Sequence, residues 1–297
     1  MSPERAGVVA IFGPTGVGKT AVAVELARHV PGPVAISADA LQVYAGLGAL
    51  TGAPSAEEQA ILEHRLIGHV PVSEEYSVGA FGPRAHAEID GVLAAGGTPI
   101  VVGGTGLYLR AALTKLALRP PVPPQVRERI EAVMVEEGPE ALHARLPEAS
   151  RAAVAPADRK RIARLLELAE IGEPPPSGNQ LWTDHTRHPT ALLVLIRERE
   201  ELDARIDTRM QSIFDAARAE VEAAEAAGAS RTVRSALGYA EVRSGDLEGL
   251  KRRTRRLARR QLTWARKLAG ARVIDLSGKE AAEGARAIAD ALGERAT

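Results

Sequence analysis

The amino-acid sequence predicts an α/β protein in which a parallel β-sheet carries helices on both faces and is interrupted by a helical insertion. Short apolar segments alternate with helical segments in the N-terminal part of the chain, a pattern typical of parallel sheets. In the middle of the chain, two proline-rich stretches enclose segments with helical periodicity and no strand-like apolar run. The first observation predicts the sheet, and the second predicts the insertion.

The N-terminal part of the sheet is predicted from three apolar strands that alternate with helices. The predicted strands are Val8–Phe12, Pro33–Ser37 and Thr98–Gly104. The predicted helices are Lys19–His29, Val78–Ala95 and Thr105–Leu113, and a glycine-rich connection covers Gly46–Pro54. We expect these helices to cover the two faces of the sheet.

The insertion is predicted between two stretches that break regular structure, "LRPPVPP" (Leu118–Pro124) and "IGEPPPSGNQ" (Ile171–Gln180). Helical patterns cover Gln125–Glu137 and Pro139–Glu170 between them. We therefore assign residues 1–119 and 181–297 to the core and residues 120–180 to a helical insertion domain.

The C-terminal part returns to the core pattern. A strand is predicted at "ALLVLI" (Ala191–Ile196) and a last strand at "ARVIDL" (Ala271–Leu276). The helices predicted between these strands are Glu198–Ala227, Ala236–Ser244 and Leu247–Ala269.

Composition limits the cellular setting. The chain has no cysteine, which excludes disulfides and thiolate metal sites and fits a reducing cytosol. No segment approaches the roughly 20 apolar residues that cross a bilayer, so we expect a cytoplasmic protein without a membrane partner. The formal net charge is zero, but "KRRTRRLARR" (Lys251–Arg260) and "RKRIAR" (Arg159–Arg164) concentrate positive charge. Each basic run could bind an anionic partner or be a solvated helix face.

A phosphate-binding loop follows the first predicted strand. "GPTGVGKT" matches the P-loop pattern between an apolar strand and a helix, which predicts a P-loop NTPase-like core. Glycines let backbone N–H groups curl around a phosphate, and the helix N-terminus adds partial positive charge. The lysine would neutralise phosphate oxygens and the threonine hydroxyl would ligate Mg²⁺. The predicted diphosphate- or nucleotide-binding residues are Gly13, Pro14, Thr15, Gly16, Val17, Gly18, Lys19 and Thr20.

The usual acidic partner of such a loop is missing. An ordinary P-loop NTPase has a carboxylate at the end of a later strand, whereas here "PIVVGGTGLY" places glycine there. The carboxylate close behind a core strand is Asp39, in "SADALQVY". Because ligands bind at the carboxyl ends of parallel strands, Gly13, Asp39 and Thr105 should converge on one crevice. Asp39 is interpreted as a general base, with a helix cap or an Mg²⁺ ligand as the alternatives.

Taken together, the motifs resemble one family, the tRNA dimethylallyltransferases (tRNA isopentenyltransferases). The resemblance spans nearly the whole chain, and the ordered set is highly specific although the P-loop alone is not. The matching stretches are "GPTGVGKT" (Gly13–Thr20), "SADALQVY" (Ser37–Tyr44), "YSVGAF" (Tyr76–Phe81), "VVGGTGLYL" (Val101–Leu109), "ELDARIDTRM" (Glu201–Met210), "ALGYAE" (Ala236–Glu241) and "TRRLARRQLTWARK" (Thr254–Lys267).

The resemblance implies a reaction. A dimethylallyl group would pass from dimethylallyl diphosphate to the exocyclic N6 amine of adenosine 37, beside the anticodon, in tRNAs that read codons beginning with U. The product would be N6-dimethylallyladenosine, and Mg²⁺ would be the cofactor. The loop would then hold an isoprenoid diphosphate, and no attacking water would need a carboxylate to position it.

The resemblance also implies roles for residues. Lys19 and Thr20 would stabilise the leaving diphosphate, with Thr20 on Mg²⁺, and Asp39 would accept the proton of the adenine amine. Arg205 and Arg209, four positions apart on one helix face, would clamp the diphosphate or form an ion-pair ladder with Glu201. The residues expected to contact tRNA are Asp39, Ala40, Leu41, Gln42, Thr105, Arg127, Lys160, Arg161 and Arg164. The basic run Lys251–Arg260 would line the same groove, and the protein is expected to be a monomer.

The chain departs from the family pattern at positions that affect RNA binding more than the phosphate loop. The departures are Ala40 for serine, Ala53 for lysine, Ala157 for asparagine, Ser235 for glutamine and Ala240 for a basic residue. Three other hypotheses remain open. They are a small-molecule P-loop kinase, a dimethylallyltransferase acting on free adenine nucleotides, and a non-catalytic RNA-binding protein.

Overall fold

A computed structural model describes residues 7–116, 118–174 and 185–293 of the chain. These residues belong to two compact units, Met1–Leu116 with Leu181–Thr297 as the first and Ala117–Gln180 as the second. The stretch Ile171–Gln180, predicted to break regular structure, lies partly outside the described residues.

The first unit contains a six-stranded sheet in which every pairing is parallel. The strand bounds are β1 Val8–Phe12, β2 Pro33–Ser37, β3 Glu63–Arg65, β4 Thr98–Gly103, β5 Thr190–Ile196 and β6 Arg272–Asp275. The strand order is β3-β2-β4-β1-β5-β6, so the strands that precede the phosphate loop, Asp39 and Thr105 are direct neighbours. The predicted fold class is confirmed.

Helices of the first unit pack on both faces of the sheet. Their bounds are α1 Lys19–Leu26, α2 Gly48–Thr51, α3 Ala56–Ile61, α4 Val78–Ala94, α5 Gly106–Leu113, α9 Arg199–Ala226, α10 Arg231–Arg234, α11 Tyr239–Ser244, α12 Leu247–Ala265 and α13 Ala281–Gly293. Val9 and Ile11 of β1 belong to one buried cluster, and Val8, Ala10 and Phe12 belong to the other, as the alternation of a strand requires. The first cluster includes residues of α1, α9, α12 and α13, and the second includes residues of α4 and α5.

The regular elements among the described residues of the second unit are helices, α6 (Pro124–Ala144), α7 (Glu148–Ala152) and α8 (Arg159–Glu170). Its small core consists of Met134, Leu142, Leu146 and Ile162. The α6 helix changes direction at Gly138, whose φ of 82° is a left-handed conformation that suits glycine.

The helical pattern predicted over Pro139–Glu170 is divided among three helices, the end of α6, α7 and α8. Pro147 precedes α7 as its N-cap, and the segment before α8 contains Pro156. A proline lacks the backbone N–H that a continuing helix needs, so the chain forms separate helices. Asp158 then begins α8 by accepting a hydrogen bond from the Arg161 amide at 3.2 Å.

Other differences concern short or marginal elements. The strand β3 has the sequence Glu-His-Arg and lies at the edge of the sheet, where charged side chains protect an exposed edge, so it lacks the apolar pattern of a strand. The helix α13, which is rich in alanine and glycine, was not predicted. Among the described residues, every helix is too short or too polar to cross a membrane.

Gly103, at the end of β4, packs closely against the backbone that follows β2. A Cβ at Gly103 would overlap the carbonyl oxygen of Ala38, whereas a Cβ at Gly91 in α4 meets no atom within 4 Å. We expect Gly103→Ala to lower the free energy of unfolding by about 1–3 kcal/mol. The control Gly91→Ala should raise it by about 0.5–1 kcal/mol, because alanine loses less backbone entropy in a helix. Urea unfolding measures both, and equal stabilities of the two variants would contradict the packing described.

Candidate active site

The carboxyl ends of β1, β2 and β4 surround one cavity of about 330 Å³. The loop after β1 supplies Gly16, Gly18, Lys19 and Thr20 to its lining, the turn after β2 supplies Asp39, and the end of β4 supplies Gly103 with Gly104 after it. Helices α9 and α12 close it with Arg205, Arg209, Met210, Leu250, Leu257 and Gln261. The expected convergence of the three strand ends is therefore present, with Asp39 in the lining and Gly13 and Thr105 adjacent to it.

The phosphate loop is fixed by close contacts on its outer side. Gly16 and Gly18 have φ angles of 83° and 104°, which other residues rarely adopt. A Cβ at Gly13 would lie 2.9 Å from the Leu195 carbonyl oxygen, and one at Gly16 would lie 2.8 Å from Ile206 Cγ1. Pro14 and Val17 are buried, and Thr15 is half-buried. The glycines are therefore required by both conformation and space.

Lys19 begins helix α1 and faces the cavity. Its Nζ donates hydrogen bonds to the carbonyl oxygens of Gly13 and Pro14, each at 3.0 Å. Burial lowers the pKa of Lys19 from 10.5 to about 8, with Asp39 opposing the shift and Arg209 adding to it. The ammonium thus lies against the loop, and it loses its proton more readily than the ammonium of an exposed lysine.

Asp39 follows β2 and is held by two contacts. Its Oδ1 accepts a hydrogen bond from the Leu41 amide at 2.9 Å, and Thr105 Oγ1 donates to Oδ2 at 3.5 Å. The nearby Gln42 accepts from Ser37 Oγ at 2.8 Å and donates to the Gly52 carbonyl at 3.0 Å. Ala40 and Leu41 are half-buried beside it. Asp39 caps no helix in the described residues, because its local hydrogen bond closes a turn.

Helix α9 brings both predicted arginines to the cavity. Arg205 Nε donates to the Gly16 carbonyl at 3.1 Å, and the Arg209 guanidinium lies against Gly52 with no room for a Cβ there. Burial lowers the pKa of Arg209, with Glu58 opposing the shift. Glu201 contacts Arg197 and accepts from the Gly278 amide at 3.0 Å. The alternative, a ladder of ion pairs between Glu201 and these arginines, is not formed among the described residues; the Gly278 hydrogen bond lowers the pKa of Glu201, and the charge of Arg205 lowers it further.

The described residues contain no cluster of three or more His, Cys, Asp or Glu side chains that would hold a metal by themselves. Thr20 lines the cavity next to Lys19, in the first turn of α1. A single hydroxyl fits Mg²⁺, which keeps several waters and shares its coordination with phosphate oxygens.

A second carboxylate lines the cavity. Glu58 of α3 accepts the Ser55 amide at 2.8 Å in a capping box at the start of that helix. It is committed to the helix terminus, whereas Asp39 lies at the phosphate-loop side. At the end of β4, Gly103 leaves no space for the acidic side chain of an ordinary NTPase.

The four basic residues of the second unit that were predicted to contact tRNA form two sets. Arg127 and Arg164 both pair with the buried Glu167, at 3.9 and 3.3 Å. Lys160 and Arg161 are exposed on α8, and Arg161 pairs with Asp158 at 3.6 Å. The four predicted RNA-contact residues of the insertion therefore lie on α6 and α8, two on a structural ion-pair cluster and two on the surface.

The second basic run, Lys251–Arg260, forms most of α12. Several of its charges are paired with acidic residues of the first unit, so part of the run is an ion-paired helix face. The pairs are Lys251–Glu248, Arg252–Asp246, Arg253–Glu241, Arg255–Asp207 and Arg259–Asp203.

Three residues that shape the site were missed as site residues. Gln261 bonds both the Thr15 amide and the Gly104 carbonyl, at 2.8 and 2.9 Å. Arg197 donates to the Val17 carbonyl at 3.1 Å, and Glu220 accepts from two amides of α2 at 2.8 and 2.9 Å. Gln261 belongs to the quoted motif "RRQLTW", but no local pattern shows the partners of a buried glutamine.

A parallel sheet with this loop and cavity defines an enzyme of the P-loop class. The family model described as "IPP transferase" matches residues 42–268, and one described as "Isopentenyl transferase" matches residues 6–74. The chain therefore belongs to the IPP transferase family, and as an enzyme it is of the tRNA dimethylallyltransferase class.

Individual relatives agree with the family match. A tRNA dimethylallyltransferase of Anaeromyxobacter dehalogenans is 40% identical, covering 89% of this chain and 93% of its own. One from Azorhizobium caulinodans is 41% identical, covering 87% and 88%. A solved tRNA isopentenylpyrophosphate transferase of Bacillus halodurans has a TM-score of 0.72 and 30% identity, covering 98% of this chain and 97% of its own. The similarity thus spans both described units.

The lowered pKa of Lys19 predicts a proton linkage. Above about pH 8 the free protein increasingly holds neutral Lys19, whereas bound inorganic diphosphate favours the ammonium form. When diphosphate binds at about pH 8.5, Lys19 should therefore take up a proton. The affinity of the protein for diphosphate should fall as the pH rises from about 7 to 9. Calorimetry in two buffers of different ionisation enthalpy measures this uptake. Lys19→Met is the control, and equal proton uptake by both proteins would contradict the assignment.

Proposed function

We propose that this protein transfers a dimethylallyl group from dimethylallyl diphosphate to the N6 amine of adenosine 37 in tRNAs that read codons beginning with U, releasing diphosphate. The observation that carries the proposal is that Lys19 and Asp39 line the same cavity and interact electrostatically. One cavity thus holds a cation that can stabilise an anionic leaving group and a carboxylate that can act as a base. This pair suits a displacement in which one substrate loses an anion and the other loses a proton.

The phosphate loop is proposed to hold the leaving diphosphate. As the allylic C–O bond breaks, its electron pair passes to diphosphate, and the loop amides and Lys19 stabilise the growing negative charge. In this role Lys19 exchanges the Gly13 and Pro14 carbonyls for phosphate oxygens. Arg205 of α9 bonds to this loop at Gly16, and Arg209 lines the same cavity, so both would add positive charge beside the diphosphate.

Mg²⁺ is the cofactor that fits this site. Thr20 would hold it together with diphosphate oxygens and water, and when bound it would supply further positive charge to the leaving group. The protein's own contribution is the Thr20 hydroxyl in the first turn of α1, next to the Lys19 ammonium.

Asp39 is proposed as the general base. The adenine amine is a weak nucleophile because its lone pair is delocalised into the ring, so removal of its proton during attack assists the reaction. The N6–C bond forms while the N–H proton passes to the Asp39 carboxylate. Leu41 and Thr105 hold that carboxylate through their hydrogen bonds, and Gln42 is positioned beside it to contact the adenine.

The acceptor is proposed to be tRNA, as the names of the relatives state for those proteins. Lys160 and Arg161, both on α8, would contact RNA phosphates. Arg127 and Arg164 would hold the RNA at the ion-paired surface around Glu167. An adenine stacked within an anticodon loop must leave the stack to reach Asp39, as in other base-modifying enzymes. Because tRNA is the acceptor, we place the activity in the cytoplasm.

A free adenine nucleotide is the second candidate acceptor, because the isopentenyl transferase model matches residues 6–74 around the phosphate loop and Asp39. The exposed basic residues of α8 favour a polyanion instead. The direct experiment incubates the protein with dimethylallyl diphosphate and either unmodified tRNA or AMP, then measures prenylated adenosine by mass. Product from tRNA alone supports the proposal, whereas product from AMP alone or from neither contradicts it.

Asp39→Asn separates base chemistry from binding. The asparagine oxygen can still accept from the Leu41 amide, so the turn should persist, but the amide cannot take up a proton. We expect the transfer rate to fall about 10²–10⁴-fold while both substrates bind normally. Single-turnover kinetics and equilibrium binding measure the two effects. The matched control is Asp215→Asn, an exposed position on α9, and a wild-type rate for Asp39→Asn would refute the base assignment.

Lys160→Ala combined with Arg161→Ala tests the RNA surface without removing the pairs of Glu167. We expect weaker tRNA binding, and the log–log slope of affinity against salt should become shallower by about 1 for each phosphate that is no longer neutralised. Filter binding at several salt concentrations measures the slope. Arg28→Ala with Arg218→Ala makes the same charge change on exposed positions of the first unit, and an identical slope for both pairs would place the RNA elsewhere.

A further inference from the structure

Gln261 is a buried polar side chain that connects two loops of the site. It lies on α12 and is 7% exposed. Its Oε1 accepts a hydrogen bond from the Thr15 amide at 2.8 Å, and its Nε2 donates to the Gly104 carbonyl at 2.9 Å. The two ends of one amide are thus bonded to two backbone segments far apart in sequence.

Both partners of Gln261 are next to residues with proposed chemistry. Thr15 lies within the phosphate loop, and its amide points at Gln261 and away from the set that would face a phosphate. Gly104 is followed by Thr105, whose hydroxyl donates to Asp39. Gln261 therefore joins the loop that would hold the leaving group to the turn that supports the base.

The packing around Gln261 requires this residue to lie close to the turn. A Cβ at Gly104 would overlap Gln261 Nε2, and a Cβ at Gly106 would overlap the Trp264 ring, which is one turn further along α12. The two glycines let α12 approach the start of α5. A side chain without the two polar ends would leave the Thr15 amide and the Gly104 carbonyl without their partner in a buried place.

We propose that Gln261 is a positioning residue of the transfer reaction, which sets the phosphate loop and the Gly103–Thr105 turn at a fixed separation; this role rests on the proposed function. Loss of the bridge lets the Thr15 peptide and the Gly104 peptide move independently. The loop amides that would bind the diphosphate and the Thr105 hydroxyl that orients Asp39 then no longer keep a fixed position relative to each other. Shifts of about 1 Å in such groups can cost about 10²-fold in rate.

Gln261→Met keeps the length and bulk of the side chain and removes both hydrogen bonds. We expect its kcat/KM for dimethylallyl diphosphate to fall about 10–10²-fold and its affinity for inorganic diphosphate to fall, with tRNA affinity unchanged. Gln211→Met on α9 is the matched control, because Gln211 is exposed and outside the cavity. Equal diphosphate affinity and kinetics in the two variants would overturn the proposal.

Gln261→Glu supplies a second test, because the hydrogen bonds and the charge of this side chain both change with pH. The ionised glutamate accepts from Thr15 but cannot donate to Gly104, whereas the protonated acid can do both, as glutamine does. We expect its diphosphate affinity, relative to wild type, to recover as pH is lowered from about 8 to 5, because burial next to a carbonyl raises a carboxyl pKa. The proposal would be contradicted if the ratio of the variant's diphosphate affinity to that of wild type did not change with pH. It would also be contradicted if this ratio fell as the pH was lowered.

The two proposals fail in different ways. Inorganic diphosphate binding tests Gln261 without any transfer, and it applies even if Gln261→Met alone is too unstable to study, because Gln261→Glu retains a polar side chain. If wild-type protein prenylates no tRNA but loses diphosphate affinity on mutation of Gln261, the proposed function is wrong and the bridge stands. If transfer occurs and diphosphate affinity is unaffected by either variant, the bridge is wrong and the function stands.

Discussion

The conformation of the loop between β1 and α1 is the constraint on which the rest of the site depends. Gly16 and Gly18 in left-handed conformations let successive amides turn toward one point, and Lys19 starts the helix that supplies the positive end of its dipole. That conformation persists only because other elements hold the loop from outside. Leu195 contacts Gly13, Ile206 contacts Gly16 and Arg197 bonds to Val17. The conformation of this loop therefore depends on several elements of the sheet domain.

Two long helices close the cavity beside this loop, which is the proposed site for both substrates. Helix α9 contributes Arg205 and Arg209 at the cavity and, through Glu220, holds the short helix α2 whose following glycine contacts Arg209. Helix α12 contributes Gln261 between the phosphate loop and the turn that carries Thr105. Glycine at the end of β4 removes the acid of a water-activating enzyme, and Asp39 stands one strand away. A carboxylate after β2, in place of one at the end of β4, suits the activation of an amine nucleophile better than the activation of water.

The sequence was sufficient to predict the fold class and the convergence of Gly13, Asp39 and Thr105, because apolar strands, a long motif and parallel topology follow from local pattern and one geometric rule. It was insufficient for the edge strand Glu63–Arg65, which is charged where it is exposed, and for the breaks in the insertion at Pro147 and Pro156. Gln261 and Arg197 were out of reach for a different reason. Their partners are backbone atoms 246 and 180 positions away, and composition does not encode such distances.

The most direct test of the central claim is a crystal structure with a thio-linked dimethylallyl diphosphate analogue that cannot be cleaved. We predict the diphosphate within the Gly13–Thr20 loop, the Lys19 ammonium moved from the Gly13 and Pro14 carbonyls onto a phosphate oxygen, and the prenyl carbon facing Asp39. A diphosphate bound at another surface, or a Lys19 that keeps its carbonyl partners beside the bound analogue, would contradict the claim.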